Sequence, residues 1–533
     1  MPLDEQSAFT DPPKHPRLGK DHDAQSANRE IRLNPGQRAR IVDELEDSLI
    51  THDCGLYLNA GRLVEISWQE IAIADGGKDR SLQLVELTAL GLIDRLSKAA
   101  IFRRCLKSEK KKTMEWVTCD CPKDVAQTYI DRATKRMPVL LGVITAPTLR
   151  FDGSILQTPG YDKLTRIFFD PNGTEFPPVP ESPTKAMAIA ALEQIKQPFK
   201  HYVFEDAGLS VAISCIITAL VRSALPAAPL HGFDAPQAGS GKTKLFDTAS
   251  VIATGHRSAA HGGGEGRSAR EEIEKKLAAS LLAGDTMILL DNIETALEGQ
   301  LLNQMLTEEK VTLRPFGKLK NRVATCVALV GATGNQLSVR GDMRRRCLIA
   351  RLVIEHERPE LRKFNFDPVE LAKDQRSALV VAALTVVRAY QISGERVDVA
   401  PLGSFEKWGR FVREPLIWLG LLDPVGTMDT IRAADPATAQ RKALMTAWPF
   451  TTQKTVAKVI ERAADYPDLQ AALAAVATGK DGAINPERLS WWFRRNKDRV
   501  IDDVEGRGRC RFEFVPGRVS EWFLHCLDDP AGG

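Results

Sequence analysis

A chain of 533 residues, 43 % hydrophobic and 26 % charged, has the composition of a soluble globular protein with room for several domains and a full core. A net charge of +3 excludes a uniformly basic nucleic-acid binder, so any nucleic-acid surface must be a local patch. The 9 cysteines show no regular pairing, and Cys119-Asp-Cys121 lacks C-x2-C spacing, so they read as free thiols of a reducing, cytoplasmic interior rather than disulfides or a zinc site.

Residues 1–30 are rich in Pro, Asp, Lys and Gln and lack an apolar segment, which predicts a disordered tail without a targeting signal. Over 31–135 the pattern predicts an α+β domain, with helices over 37–49 and 82–99 and strand-like pieces at 55–58 and 62–66. Arg104, Lys107, Lys110, Lys111 and Lys112 form a basic stretch that reads as a solvated loop or, alternatively, a phosphate contact. Pro and Gly punctuate 136–200, which predicts a linker region ending in a helix over 184–195. The apolar run 209–221 is too short to cross a bilayer and reads as a core helix, so no membrane partner is expected.

Alternation of strand and helix over 201–356 predicts a parallel sheet with helices on its faces. A helical region over 357–475 follows. The last stretch, 476–533, has a helix from Pro486, a Gly turn at 506–508 and a strand over 509–515, which predicts a small winged-helix-like domain.

The chemistry-bearing motifs lie in the alternating block. The first is Ala235-Pro-Gln-Ala-Gly-Ser-Gly-Lys-Thr243, after an apolar run. Gly239 and Gly241 let backbone N–H groups of the loop, with Ser240, face phosphate oxygens; Lys242 adds charge, Thr243 can ligate Mg²⁺, and Lys244 opens the helix beside them. Pro236 stands where the G-x-x-x-x-G-K-[ST] pattern has Gly. Further on, the apolar Met287-Ile-Leu-Leu ends in Asp291, a second candidate Mg²⁺ ligand. Asn292 occupies the position where a Glu base is usual, leaving Glu294 as the nearest carboxylate; it is either that base or a solvated residue at a helix start. A β-rich run then ends in Asn335, whose amide can bind a γ-phosphate or orient water. Finally Arg344-Arg-Arg346 precedes the strand-like Cys347 to Ile354; Arg345 or Arg346 there can reach a neighbouring protomer's nucleotide.

In this order the four motifs resemble the AAA+ ATPases. The phrases Phe233-Asp-Ala-Pro-Gln-Ala-Gly-Ser-Gly-Lys242, Leu290-Asp-Asn-Ile-Glu294, Ala332-Thr-Gly-Asn335 and Gly341-Asp-Met-Arg-Arg-Arg346 are similar to the helicase-type ATPases of prophages and integrated mobile elements. The likeness extends through Thr145 to Ser154, Gly160-Tyr-Asp162 and Glu357 to Phe364, covering roughly 130–430. It implies an AAA+ P-loop sheet over 201–356 with a helical lid over 357–475, flanked by the N-terminal α+β domain and the winged-helix-like end. It also implies ATP and Mg²⁺ as cofactors, and a ring, expected to be a hexamer, in which Arg345 or Arg346 acts in trans.

The hairpin-like segment holding Arg314, Phe316, Lys318, Lys320 and Arg322 stands where related helicases grip the DNA backbone, with an aromatic available for stacking; an ordinary basic surface hairpin is the alternative. Arg413 in the helical region is a candidate second arginine over the nucleotide, and Arg494 and Arg495 near the C-terminus could meet DNA phosphates. In that group a primase domain often precedes this module, but no metal-binding carboxylate cluster stands out in the first 130 residues, so a primase or other replication protein is expected as a separate partner. The expected function is an Mg-ATP-dependent motor on single-stranded or forked DNA, a replicative-type helicase. The alternative is a nucleotide-switched module (initiator, loader or defence ATPase) that does not unwind.

Overall fold

The computed structural model describes residues 29–528 other than 73–77, 108–112, 259, 263–268, 315–320, 356–364, 434–435, 480–481 and 518–519. Phe316, Lys318 and Lys320 therefore lie outside the described residues, as does most of the basic stretch at 107–112. The chain divides into two compact units, Met1–Val425 and Gly426–Gly533.

The first unit is built on a five-stranded parallel sheet: β1 (Leu230–Ala235), β2 (Ala260–Gly262), β3 (Met287–Asp291), β4 (Leu329–Asn335) and β5 (Cys347–Arg351), in the spatial order β2-β3-β4-β1-β5. Every residue of β1 is buried, as expected of a central parallel strand covered on both faces. The expected apolar helix runs over Gly208–Val221 and packs on β1 and β5. On the sheet also lies α1 (Lys242–Thr254), seated by a glycine: a Cβ on Gly331 in β4 would stand 2.1 Å from the Phe246 ring of α1. At its far end α1 stops at Gly255, and the buried Arg376 guanidinium donates to the carbonyls of Val251, Ile252 and Ala253. A cation on those carbonyls satisfies orphan acceptors and opposes the negative end of the helix dipole.

In the N-terminal part, helix Arg38–Thr51 forms as expected. The second expected helix does not begin at 82. Residues Lys78–Glu86 are a strand paired with Arg62–Ala72, and the helix runs over Ala89–Ala99, capped by the Thr88 side chain accepting from the Gly91 N–H at 3.2 Å. Alternating residues from 82 to 86 suit a pleated strand, and the Thr cap sets the later start. Helices and strands here share a core that includes Ile31, Leu45, Leu92, Phe102 and Tyr129.

Residues 136–200, expected as a linker, are folded into this same unit. Short strands Gly142–Ile144, Gly160–Asp162 and Ile167–Phe169 make a three-stranded sheet, and the Thr145 and Thr148 hydroxyls donate to the carbonyls of Thr254 and Leu220 at 2.7 and 2.5 Å. Its prolines and glycines serve tight turns between packed pieces rather than a free connection.

The second unit contains a four-stranded antiparallel sheet, in the order Lys454–Thr455, Glu521–Cys526, Gly508–Val515, Ile501–Val504, with helices Pro436–Thr446, Val456–Ala463, Pro467–Ala477 and Pro486–Asn496. The expected boundary at 475/476 falls inside one hydrophobic core. Leu444, Trp448, Val459 and Leu473, placed by sequence in the lid, pack with Phe493, Phe512 and Trp522. The helical region of the first unit thus ends near Val425, because apolar helix faces beyond it are satisfied by the terminal sheet. All 9 cysteines are free thiols, and no helix among the described residues is long and apolar enough to cross a membrane.

Candidate functional site

In a parallel sheet the carboxyl ends of the strands share one edge, and ligands bind in the crevice outside it. The motif residues from β1, β3 and β4 meet there. The loop between β1 and α1 takes its left-handed turns at Gly239 (φ +72°) and Gly241 (φ +84°). Because the loop does not require positive φ at 236, Pro236 is compatible with it. Gly241 is also a close-approach position, since a Cβ there would stand 2.8 Å from the Tyr202 hydroxyl. The first turn of α1 follows, with its unpaired N–H groups and positive dipole end at the loop.

Lys242 is 8 % exposed, with its ammonium turned inward. Nζ donates to the Gln237 carbonyl at 3.0 Å, to Ser240 Oγ at 3.1 Å and to Asn335 Oδ1 at 2.8 Å. Burial holds its pKa below that of an ordinary lysine, while the charges of Asp234 and Asp291 pull the other way. A half-desolvated ammonium among neutral acceptors is a ready partner for an anion.

Thr243 Oγ1 donates to Asp291 Oδ1 at 2.9 Å, joining the start of α1 to the end of β3. The same carboxylate oxygen accepts from Thr333 Oγ1 at 2.5 Å, and Thr333 in turn accepts from the Asn292 N–H at 2.9 Å. Thr333, 1 % exposed, did not figure among the sequence candidates. Strand periodicity offered a signal, since 333 and 335 lie on one face of β4. Gln237, Tyr202 and Asp367 were likewise missed; nothing local in the sequence marks them.

Asn292 sits at φ +51°, a left-handed conformation that Asn tolerates better than most residues. Glu294 is exposed, with no hydrogen bond or ion pair among the described residues. Lys244 points away from the loop: its ammonium meets Asp367 at 2.6 Å, and Asp367 also caps helix Pro368–Asp374 through the Val369 N–H at 2.8 Å. Its role is to tie α1 to the helical region rather than to line the glycine loop.

The three arginines before β5 lie at the opposite edge of the sheet. Cys347 pairs with Leu230, the first residue of β1, so Arg345 and Arg346 stand beside the amino ends of the strands. The six residues of β1 at about 3.3 Å each separate them from their own glycine loop by roughly 20 Å. Arg345, 46 % exposed, pairs with Asp342. Arg346, at 12 %, is anchored within its own chain by Asp342, the Asn303 carbonyl at 2.8 Å and Thr307 Oγ1 at 3.1 Å. Arg345 is therefore the freer of the two to reach outward.

Arg413 departs from its expected place over a nucleotide. It is buried, forms a two-point pair with Asp423 at 2.9 and 2.6 Å and donates to the Ala400 carbonyl at 2.6 Å. With those donors occupied it is a strut of the helical region. The expected hairpin is present as strands Lys310–Leu313 and Arg322–Thr325. Arg314 beside it is exposed, whereas Arg322 lies 3.8 Å from Glu86 on the N-terminal hairpin, so it is partly neutralised from within.

Thr243 and Asp291 are two oxygen donors, a set suited to Mg²⁺ that keeps most of its ligands as water and phosphate. Among the described residues no group of three or more His, Cys, Asp or Glu forms a metal site by side chains alone. A separate cavity of about 420 Å³, lined in part by Arg222, Thr254, Gly284 and Met287, lies toward the amino ends of the strands, away from the glycine loop.

No protein-family model matches the chain, and no curated protein matches it in sequence. Among solved structures it is similar to the A-form apo structure of the NrS-1 C-terminal region, at 11 % identity and a TM-score of 0.32, over 82 % of this chain and 99 % of that one. A second structure of that region, residues 305–718, gives 12 % identity and 0.32, over 82 % and 100 %. Superpositions this loose carry no functional argument, and the reading below rests on the geometry of the site.

Proposed function

We propose that this chain is an Mg-ATP-dependent ATPase of the AAA+ type that acts on DNA, a replicative-type helicase of a prophage or mobile element. The observation that carries the reading is the convergence of Lys242, Thr243, Asp291 and Asn335 on one crevice at the carboxyl ends of β1, β3 and β4. Gly239, Ser240 and Gly241 would present backbone donors to the polyphosphate, and Lys242 would exchange its neutral acceptors for phosphate oxygens. Thr243 and Asp291 would hold Mg²⁺, whose charge neutralises the phosphates during hydrolysis. Asn335 would position the terminal phosphate or the attacking water, with Glu294, two residues after Asn292 in the sequence, a candidate to take its proton.

Arg345 supports a ring. From the amino ends of the strands it has no route to its own chain's loop, so an arginine acting on phosphate must serve a neighbour. The DNA assignment rests on the sequence phrases shared with mobile-element helicases and on the hairpin bearing Arg314.

A second reading, a nucleotide-operated switch that binds without unwinding, is favoured by Asn292, which places an amide where the usual base would stand. Turnover of ATP with and without single-stranded DNA, together with strand displacement on a forked duplex, separates the two. Stimulated hydrolysis with displacement supports the motor; tight ATP binding with negligible turnover supports the switch and overturns the motor.

A further inference from the structure

Trp491-Trp492-Phe493 reads in sequence as a run of core aromatics, and the structure divides it. Trp492 is 9 % exposed and Phe493 0 %, both in the core of the second unit, while Trp491 is 59 % exposed. All three lie on helix Pro486–Asn496, and a helix cannot turn three consecutive side chains inward. That explains why one faces out; it does not explain a tryptophan there, where most residues would be tolerated.

Its neighbours at helical spacing are Glu487, Arg488, Arg494 and Arg495, all exposed, three cations against one acid, with Arg488 also donating to the Thr478 carbonyl at 2.5 Å. The Arg495 guanidinium stands 5.0 Å from the centre of the Trp491 ring, within cation–π range. Arg494 and Arg499 have no acidic partner among the described residues. Two of the acids that follow in sequence have lysine partners: Asp498 lies 3.6 Å from Lys497, and Asp503 lies 2.8 Å from Lys442. Besides Trp491, Tyr466 and Val500 are the exposed large hydrophobics described in this unit, too few for a broad apolar patch. A docking face for a protein would need a contiguous apolar patch. An exposed indole with one guanidinium against its ring and further arginines on the same helix face suits a chain that alternates flat rings with phosphates.

We propose that Trp491, with Arg488, Arg494 and Arg495, forms a stacking platform for single-stranded nucleic acid, taking a base on the indole and neighbouring phosphates on the arginines. This deepens the DNA-directed reading above and rests on it. It places a sequence-tolerant grip on the second unit, independent of the hairpin in the first.

The test is fluorescence anisotropy of the full chain with two labelled probes, a single-stranded 20-nucleotide oligo-dT and an abasic strand of equal charge. Trp491→Ala is expected to weaken oligo-dT binding about 5- to 150-fold and to leave the abasic strand unchanged. Trp491→Phe, which keeps a ring, is expected to recover most of the loss. Arg494→Ala/Arg495→Ala is expected to weaken both probes and flatten the salt dependence. Equal affinity of wild type and Trp491→Ala for oligo-dT, equal loss on both probes, no oligo-dT binding by wild type, or binding only to a protein or a duplex overturns the proposal. ATP turnover without DNA, expected to be unchanged in these variants, reports on the ATPase reading separately.

Discussion

The Lys242 ammonium donates to the Asn335 side-chain oxygen at 2.8 Å, joining the loop after β1 to the end of β4 across 93 positions of sequence. That bond holds a buried cation against a neutral acceptor, an arrangement that an arriving phosphate improves. Lys242→Ala is expected to reduce ATP turnover by at least about 100-fold, the scale of losing a charge-stabilising donor. Melting temperature without nucleotide should stay within a few degrees, because the substitution also removes a poorly solvated charge. Wild-type turnover in this variant would overturn the ATPase assignment.

Thr333 links Asp291 to the Asn292 N–H. Thr333→Val keeps the shape but leaves that N–H without its acceptor, at a cost of roughly 1–3 kcal/mol. Stability should fall by about that amount, and the Mg²⁺ concentration for half-maximal turnover should rise; Thr333→Ser should restore both. An unchanged Mg²⁺ titration in a folded Thr333→Val variant would remove Thr333 from the site.

Arg345→Ala is expected to bind ATP normally and to lose turnover. Mixed with Lys242→Ala subunits it should regain part of the activity, because each variant supplies what its neighbour lacks. Absence of recovery from co-assembled subunits would argue against the trans role.

Gly331 allows the ring of Phe246 to lie against β4. An added Cβ would stand 2.1 Å from Phe246 Cε2, far inside contact distance. Gly331→Ala should destabilise the first unit by about 3 kcal/mol, and Phe246→Leu in the same chain should recover part of it. Chemical denaturation of the single and double variants checks both.

His231, the second residue of β1, is 0 % exposed and 3.0 Å from Ser214 Oγ. Burial pushes its pKa from 6.5 down to about 3. The folded state thus binds this proton less readily than the unfolded chain, so the stability it confers is full above pH 6.5 and is lost as pH falls toward 3. The loss is on the order of a few kcal/mol. His231→Leu should flatten the fall in melting temperature between pH 6.5 and 4. An unaltered slope would show that other groups govern acid unfolding.

Legibility in the sequence followed the range of the interactions. Apolar runs marked the helix at 209–221 and β1, because burial of a whole helix or strand is written in consecutive residues, and the glycine loop marked the start of α1. The order of Lys242, Asp291, Asn335 and Arg345 was likewise a local property of four short motifs. The strand over 82–86 was misread as helix since a short apolar run suits either period until its partner, here Arg62–Ala72, is known. The fate of 136–200 turned on packing against Leu220 and Thr254, contacts that Pro and Gly content does not encode.

By itself, the sequence determined an alternating α/β block with a glycine loop and three polar strand ends or approaches, because hydrophobic period and turn chemistry act over a few residues. Only the tertiary structure decided that β4 lies between β1 and β3, which brings Asn335 and Thr333 onto Lys242 and Asp291. It also decided that Arg413 and Lys244 have carboxylate partners elsewhere and that Trp491 faces water. Those outcomes depend on which distant groups share a buried space, and strand order, ion pairing and exposure are set only when the layers close on one another.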